Sequence, residues 1–468
     1  MSLWLGWFRN VQELRGACSR TATFFWMTLA LIGFTVRSDT LGVTSFVRIL
    51  GLKEKAYHRF LHLFHSDALD LGRLTELWIR LVTRIFRPLT VSGYRVCLAD
   101  GVKVAKDGRR MPAVKRLHQE SSNNSKSPFI MGHSFQAISL LVSGAKGAIF
   151  SVPLISRIHE GLVFSNRDQR SLLDKFASLF VSIAPVLKAP LILVADAYYA
   201  SKTVIKPLLQ AGHHLVTRVR SNAVAYQAAP KPKKPKRGKP RVYGKKVLLR
   251  EAAKEKGKLE SAPSPLEGES GVQVLYRCLD LLWRPIGQLV RFVIVDHPKR
   301  GRIILMSTKT DLDPLEVFRI YAYRFKIEIG FRHAIHVLAS YSYHFWMRAM
   351  DRLRRWSGNQ YLHRKSEEYR AQVKRKIHAY HVFVQLGCIA QGLMINLAVN
   401  CPKTVWRHFA SWFRTMDTTK APSERVVADA LRAWVHEFLT VSCPDSKLRQ
   451  KFRRFRSRKN SRKWRSVA

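Results

Sequence analysis

Apolar residues recur at helical spacing through Leu61, Phe64, Leu69, Leu71, Leu74, Leu77 and Leu81, and the chain from its start to about residue 90 reads as helical. Within it, Thr40 to Phe64 forms two helical halves joined near Gly51. That pattern fits a small helix-turn-helix, and equally any two packed helices. The period then changes. Tyr94 to Ala105 reads as a strand with a polar end. Ser134–Ser143 and Gly147–Ile155 follow as an antiparallel pair. Arg167–Ile183 has helical spacing. Pro190–Asp196 is a short apolar run of the buried central type. Ser201–Gln210 predicts a helix closed by Gly212, and His213–Arg220 another strand. This order predicts a mixed α/β layer with helices on its faces.

The apolar pattern breaks at Lys231–Lys258, which holds 13 Lys+Arg, two acids and four prolines counting Pro230. Such a stretch predicts a solvated basic arm, either a linker or a phosphate-binding loop. Strand patterns resume at Val272–Trp283, Gln288–Asp296 and Arg302–Thr308, a β-rich insertion before the next long helix. That helix starts with Asp313 as N-cap, Pro314 at the first turn and Glu316 completing a capping-box pattern; it is expected to run to about Leu338. Helices follow over Ala371–Val399 and Ser423–Leu439. The end from Lys447 has eleven Lys+Arg and no acid, and is expected to be disordered in isolation. The predicted division is 1–90 helical, 91–225 first part of the core, 226–312 arm and β-rich insertion, 313–445 remainder of the core with C-terminal helices, and 446–468 basic tail.

Composition narrows the partner. The chain has 468 residues, 81 Lys+Arg against 32 Asp+Glu and a formal net charge of +49, with 47% hydrophobic residues to build a core. That much self-repulsion calls for a polyanion, with nucleic acid first and an anionic membrane second. Six scattered cysteines without a C-x-x-C pair argue against a zinc module or a disulfide scaffold and fit a reducing cytoplasm. The N-terminus lacks signal-peptide architecture. Phe24–Phe34 is too short to span a bilayer, and Val382–Val399, with Gln385, Gln391 and Asn396, reads as a buried helix. No membrane partner and no small-molecule substrate are expected.

In so acid-poor a chain, a few carboxylates stand out. Asp100 lies on the first core strand, and Asp196 ends the buried strand. Glu328 shares one helical face with Tyr321 and Arg324, at i, i+3 and i+7. Hard oxygen ligands at strand ends suit Mg²⁺ or Mn²⁺, and paired metal ions can activate one oxygen and stabilise another. Taken singly, an Asp at a strand end is a turn residue, an Arg/Glu pair a salt bridge and Tyr321 a core aromatic. The segment Lys106–His133 is either a solvated loop or a DNA-lining one, through Arg109, Arg110, Lys115, Arg116 and His118. Arg218 and Arg220 alternate on one strand and share a face. Trp283 and Trp346 read as core residues or as wedges against a displaced base.

These motifs resemble those of bacterial insertion-sequence transposases of the cut-and-paste DDE type. Tyr321, Arg324 and Glu328 match the first three elements of the Y-x2-R-x3-E-x6-K signature of the insertion-sequence-four-like superfamily. LADG around Asp100 and VADAYYAS around Asp196 resemble its two Asp motifs. The likeness covers about Asp100 to Arg352. It implies a ribonuclease-H-like mixed sheet with flanking helices, a β-rich insertion before the catalytic-Glu helix and a helical N-terminal domain. It further implies that Asp100, Asp196 and Glu328 hold two Mg²⁺ (or Mn²⁺) ions, with Tyr321 and Arg324 gripping phosphates. The partners implied are inverted-repeat ends, target DNA and a second subunit in a homodimer, in a bacterial, nucleoid-associated setting. The expected activity is metal-dependent strand cleavage and strand transfer. One position departs: Ile335 stands where the signature has Lys, and Arg332, on nearly the same face as Glu328, is the expected substitute, with His333 and His336 behind it. The alternative is an inactive or domesticated copy that only binds DNA.

Overall fold

The computed structural model describes residues 2–119, 127–230, 240–409 and 416–457. The chain divides into two compact units. A sheet unit comprises Leu89–Asp100 and Arg170–Ile327, and a helical unit comprises Met1–Pro88, Gly101–Gln169 and Glu328–Ala468.

In the sheet unit, three strands run parallel. Leu191–Ala195 pairs on one side with the strand starting at Tyr94 and on the other with His214–Arg218. All five residues of Leu191–Ala195 are buried, the pattern of a strand covered on both faces. Helices Leu172–Ile183 and Lys202–Gln210 provide connections. Ser171 and Asp174 form a reciprocal capping box on the first helix. Gly212, at φ 76°, closes the second in the left-handed conformation that suits glycine.

Beyond the parallel strands, Gln273–Trp283, Gln288–His297 and Gly301–Ser307 form an antiparallel meander. Its last strand pairs with His214–Arg218, Met306 opposite Thr217, so the β-rich insertion extends the core sheet edge to edge. The expected basic arm is structured from residue 240 onward. Tyr243–Leu248 pairs antiparallel with Val224–Ala228, and Leu249, Ala252 and Ala253 are buried beside it. Cross-strand pairing and these apolar anchors overcome the high charge. Residues 231–239 of that arm lie outside the described residues.

The helical unit is organised by one 34-residue helix, Glu367–Asn400. Phe383 on this helix packs against Phe34 and Phe64 at centroid distances of 4.8 and 5.1 Å. Its apolar stretch is long enough to cross a membrane, but 94% of that stretch is buried in the protein, as expected of a core helix. The predicted N-terminal pair is present as Val43–Ile49 and Lys55–His65, with Gly51 at φ 58° between them. Phe129–Ser143 and Ile149–Ile158 pair antiparallel.

Two further expectations need correction. The basic tail is helical over Ser446–Phe455, capped by Asp445 and fixed by buried Leu448 and Phe452, while 458–468 lies outside the described residues. Its charges occupy the outer face of an amphipathic helix, so apolar burial outweighs their repulsion. The helix expected from Asp313 to Leu338 is two helices, Pro314–Ala322 and Phe325–His336. Asp313 caps the first by accepting from Leu315 N and Glu316 N, but the Glu316 carboxylate binds Arg319 instead of completing a capping box. At the junction, Arg324 N, Lys326 N and Ile327 N each donate to the carbonyl three residues back, a tighter turn than the α-helix.

Candidate active site

Strand register brings the first two acids level. Cys97 lies opposite Leu193 and Leu98 opposite Val194 in the parallel pair. Two residues further along both chains stand Asp100 and Asp196. Neighbouring strands lie about 4.8 Å apart, so the two residues stand side by side where the shorter strand ends, the edge at which open α/β sheets bind ligands. Asp196, one residue past its strand, caps the short turn that follows: Oδ1 accepts from Tyr198 N at 3.0 Å. Its carbonyl accepts from the Thr217 hydroxyl at 2.6 Å, which ties it to the next strand. Thr217 is fully buried, a polar side chain inside an apolar strand; that was the available sequence signal for a residue that pattern reading passed over.

The helix Pro314–Ala322 and the turn after it bring cations and a phenol to the same edge. Arg324 Nη1 donates to Asp100 Oδ2 at 2.8 Å, with both side chains about one-fifth exposed. Burial raises the pKa of the Tyr321 hydroxyl above its ordinary value; Arg324 and Arg218 pull it back and Asp196 pushes it up. Asp100, Asp196, Arg218, Tyr321 and Arg324 therefore form one neighbourhood within the sheet unit. Arg218 and Arg220 are both exposed, with Val219 buried between them. Arg220 lies past the strand end, in a turn where its carbonyl accepts from Ala223 N.

Glu328 opens the helical unit's last segment, half-buried in the first turn of Phe325–His336. Because the helix breaks at Tyr323–Arg324, Glu328 does not share one regular helical face with Tyr321 and Arg324. Four residues on, Arg332 is exposed, Ile335 half-buried and His336 exposed. His333 is committed elsewhere: its Nδ1 lies 2.6 Å from Glu424 Oε2, which holds the imidazole pKa above its usual value. Glu424 was not anticipated from sequence, where it reads as an ordinary first-turn acid.

The basic segment after Asp100 divides between anchors and surface. Lys106 is buried, and its ammonium donates to the carbonyls of Tyr341 and Tyr343. Arg109 Nε donates to Leu353 O at 3.0 Å and Arg110 Nη1 to Arg348 O at 3.1 Å. Lys115 pairs with Glu160 at 2.9 Å. Arg116 and His118 are exposed and both lie against Phe129. Of the two tryptophans singled out, Trp283 is buried and Trp346 is 66% exposed.

A family model described as DDE superfamily endonuclease matches residues 13–263, more than half of the chain. The chain belongs to the DDE superfamily endonucleases. No curated protein matches it. Membership makes the chain a nuclease of the transposase type with DNA as its substrate class. The matched span contains Asp100 and Asp196 and ends before Tyr321, Arg324 and Glu328.

DDE endonucleases generally use divalent metal ions, and the acid pair suits them in part. Asp100, within its strand, and Asp196, just past the end of the neighbouring one, offer hard oxygen donors. Among the described residues, no group of three or more Asp, Glu, His or Cys side chains is assembled for a metal. Arg324 places a positive charge directly on Asp100, so the carboxylate is held by an internal cation. The endonuclease's six cysteines are all free.

Proposed function

We propose that this DDE endonuclease is an insertion-sequence transposase, with a ribonuclease-H-like core, that cleaves DNA at inverted-repeat ends and transfers the resulting 3′ end. The observation that carries this reading is Asp100 level with Asp196, with Arg324 bound to Asp100 and Tyr321 beside them. In this reading Asp100, Asp196 and Glu328 hold two Mg²⁺ or Mn²⁺ ions. When bound, such ions activate the attacking oxygen and stabilise the leaving one. Arg324 exchanges Asp100 for a phosphate oxygen, a bidentate role that suits a guanidinium. Tyr321 orients that guanidinium, and exposed Arg218 binds the flanking backbone. Arg332 takes the phosphate contact that Ile335 cannot make. Two copies pair the two ends, and the bacterial nucleoid is the setting implied.

The test is incubation of the protein with a labelled duplex carrying the element's own end, with Mg²⁺, Mn²⁺ or EDTA, beside Asp100→Ala. Metal-dependent cleavage at the end, absent in the variant, supports the proposal. Binding without cleavage under any metal overturns it in favour of a DNA-binding copy, and Ile335 is the sequence feature that favours that second reading.

A further inference from the structure

The helical unit contains a cavity of about 330 Å³ whose lining includes Lys106, Asp107, Arg109, Arg354 and Arg355. Arg109, Arg354 and Arg355 are the arginines of that lining and Asp107 its one acid. The cavity has a built frame. Leu353 N donates to Arg109 O, Met347 N to Arg110 O and Arg116 N to Ser357 O, each at 2.8 Å, so residues 346–357 are laid along 109–116 by main-chain bonds. Lys106, also in the lining, is buried with its ammonium 3.9 Å from the Tyr343 ring centroid.

The same loop carries its aromatic rings outward. Trp346, Trp356 and Tyr361 are 66%, 42% and 59% exposed, interleaved with exposed Arg348, Arg352 and Arg355. Large aromatic side chains ordinarily bury most of their surface. Trp356 also has φ 67°, a left-handed backbone that a bulky residue adopts only at a cost, and such outliers gather at ligand sites. The Arg355 guanidinium lies 5.4 Å from the Trp356 ring centroid, so cation and π-face are presented together.

Phosphate and base are the two parts of a nucleotide, and this surface offers a partner for each. A duplex presents phosphates but keeps its base faces stacked. An unpaired strand presents both, and stacking on aromatic rings beside a basic groove is how proteins hold one. We propose that the loop 346–361 binds an unpaired stretch of DNA, a backbone phosphate entering the cavity against Arg109, Arg354 and Arg355 while bases stack on Trp346 and Trp356. The proposal rests on the transposase reading for the source of the unpaired strand, but the binding itself does not depend on cleavage.

The experiment is fluorescence anisotropy with labelled oligothymidylate and with a blunt duplex of equal length, using the full chain and the variants Trp346→Ala/Trp356→Ala, Trp356→Phe and Arg354→Ala/Arg355→Ala. Thymidine monophosphate and inorganic phosphate serve as competitors. The double tryptophan variant is expected to weaken oligothymidylate binding roughly five- to a hundredfold per stacked base lost while leaving duplex binding unchanged. Trp356→Phe retains binding, and the arginine variant binds more weakly with a shallower salt dependence. Equal losses on duplex and single strand, or no loss on the single strand, overturn the proposal. Thymidine monophosphate competing as well as the oligonucleotide overturns it in favour of a free-nucleotide pocket. Loss of duplex cleavage at the acid pair leaves this assay interpretable, and a negative anisotropy result leaves the cleavage test intact.

Discussion

Arg324 and Asp100, 224 residues apart in sequence, are joined by a 2.8 Å hydrogen bond from Nη1 to Oδ2. The pair fixes the turn between two helices to the first core strand. In the transposase reading it also places a fixed cation where the Asp100 carboxylate would meet metal ions. Arg324→Ala is therefore expected to lower the stability of the metal-free protein by about 1.5–3 kcal/mol, the range for a hydrogen bond to a charged group. Mg²⁺ should then raise the melting temperature more in the variant than in the wild type, because the ion no longer competes with a guanidinium. Equal metal responses in thermal melts of the two proteins would show that Arg324 does not guard Asp100.

Asp100 and Asp196 stand level across a parallel strand pair, so neither should substitute for the other. Asp100→Asn and Asp196→Asn are each expected to cut the cleavage rate by at least about a hundredfold, the scale of losing one preorganised electrostatic group. DNA affinity should be retained, since a protein of net charge +49 binds the backbone through its cations. Gel-shift and cleavage assays on the same preparations separate the two effects. Retained cleavage by Asp196→Asn would remove Asp196 from the site.

Much of the local structure around the acid pair is legible in the sequence, because it is set by neighbouring residues. The strand Tyr94–Ala105 has the bounds its alternation predicts, and Leu191–Ala195 is the buried run bounded by Pro190 and Asp196. Asp313 caps its helix as its position before Pro314 implies. What sequence did not reveal depends on long-range contact. The break at Tyr323–Arg324 contains neither Gly nor Pro; it is flanked by the Tyr323 hydroxyl bond to Glu267 and the Arg324 bond to Asp100. The helix Ser446–Phe455 looked like a charged tail because its stabilising partners are distant: Phe455 packs on Trp26 with centroids 4.9 Å apart. Glu424 was missed for the same reason: its partners His333 and Gln391 are distant in sequence.

The long helix Glu367–Asn400 uses small residues where neighbours press closest. A Cβ on Gly392 would lie 2.3 Å from Trp78 Cζ2, and Trp78 is fully buried with its indole N–H donating to Pro153 O at 2.9 Å. The ring cannot retreat without losing that bond. Gly392→Ala is expected to destabilise the protein by roughly 1–3 kcal/mol, the cost of overpacking, despite alanine's better helix propensity. Urea denaturation measures it; a stabilised variant would mean that the helix and the Trp78 ring are free to move apart.

The helix that carries Glu328 is anchored by a titratable pair. His333 Nδ1 lies 2.6 Å from Glu424 Oε2, and Gln391 Nε2 donates both to Glu424 Oε1 at 3.2 Å and to the Gly330 carbonyl at 3.0 Å. The Glu424 carboxylate beside it raises the His333 pKa, with burial and Arg332 opposing it. A histidine whose folded pKa exceeds its unfolded value of about 6.5 binds its proton more tightly in the native state. Its contribution is complete below that unfolded value and disappears as pH rises through the folded one. Glu424→Gln removes the charge that holds the proton while keeping an acceptor for Gln391. The variant should therefore show its largest stability deficit in mildly acidic buffer, shrinking toward alkaline pH, in urea unfolding at a series of pH values. A deficit independent of pH would assign Glu424 a packing role only, and leave the helix held by Gln391 alone.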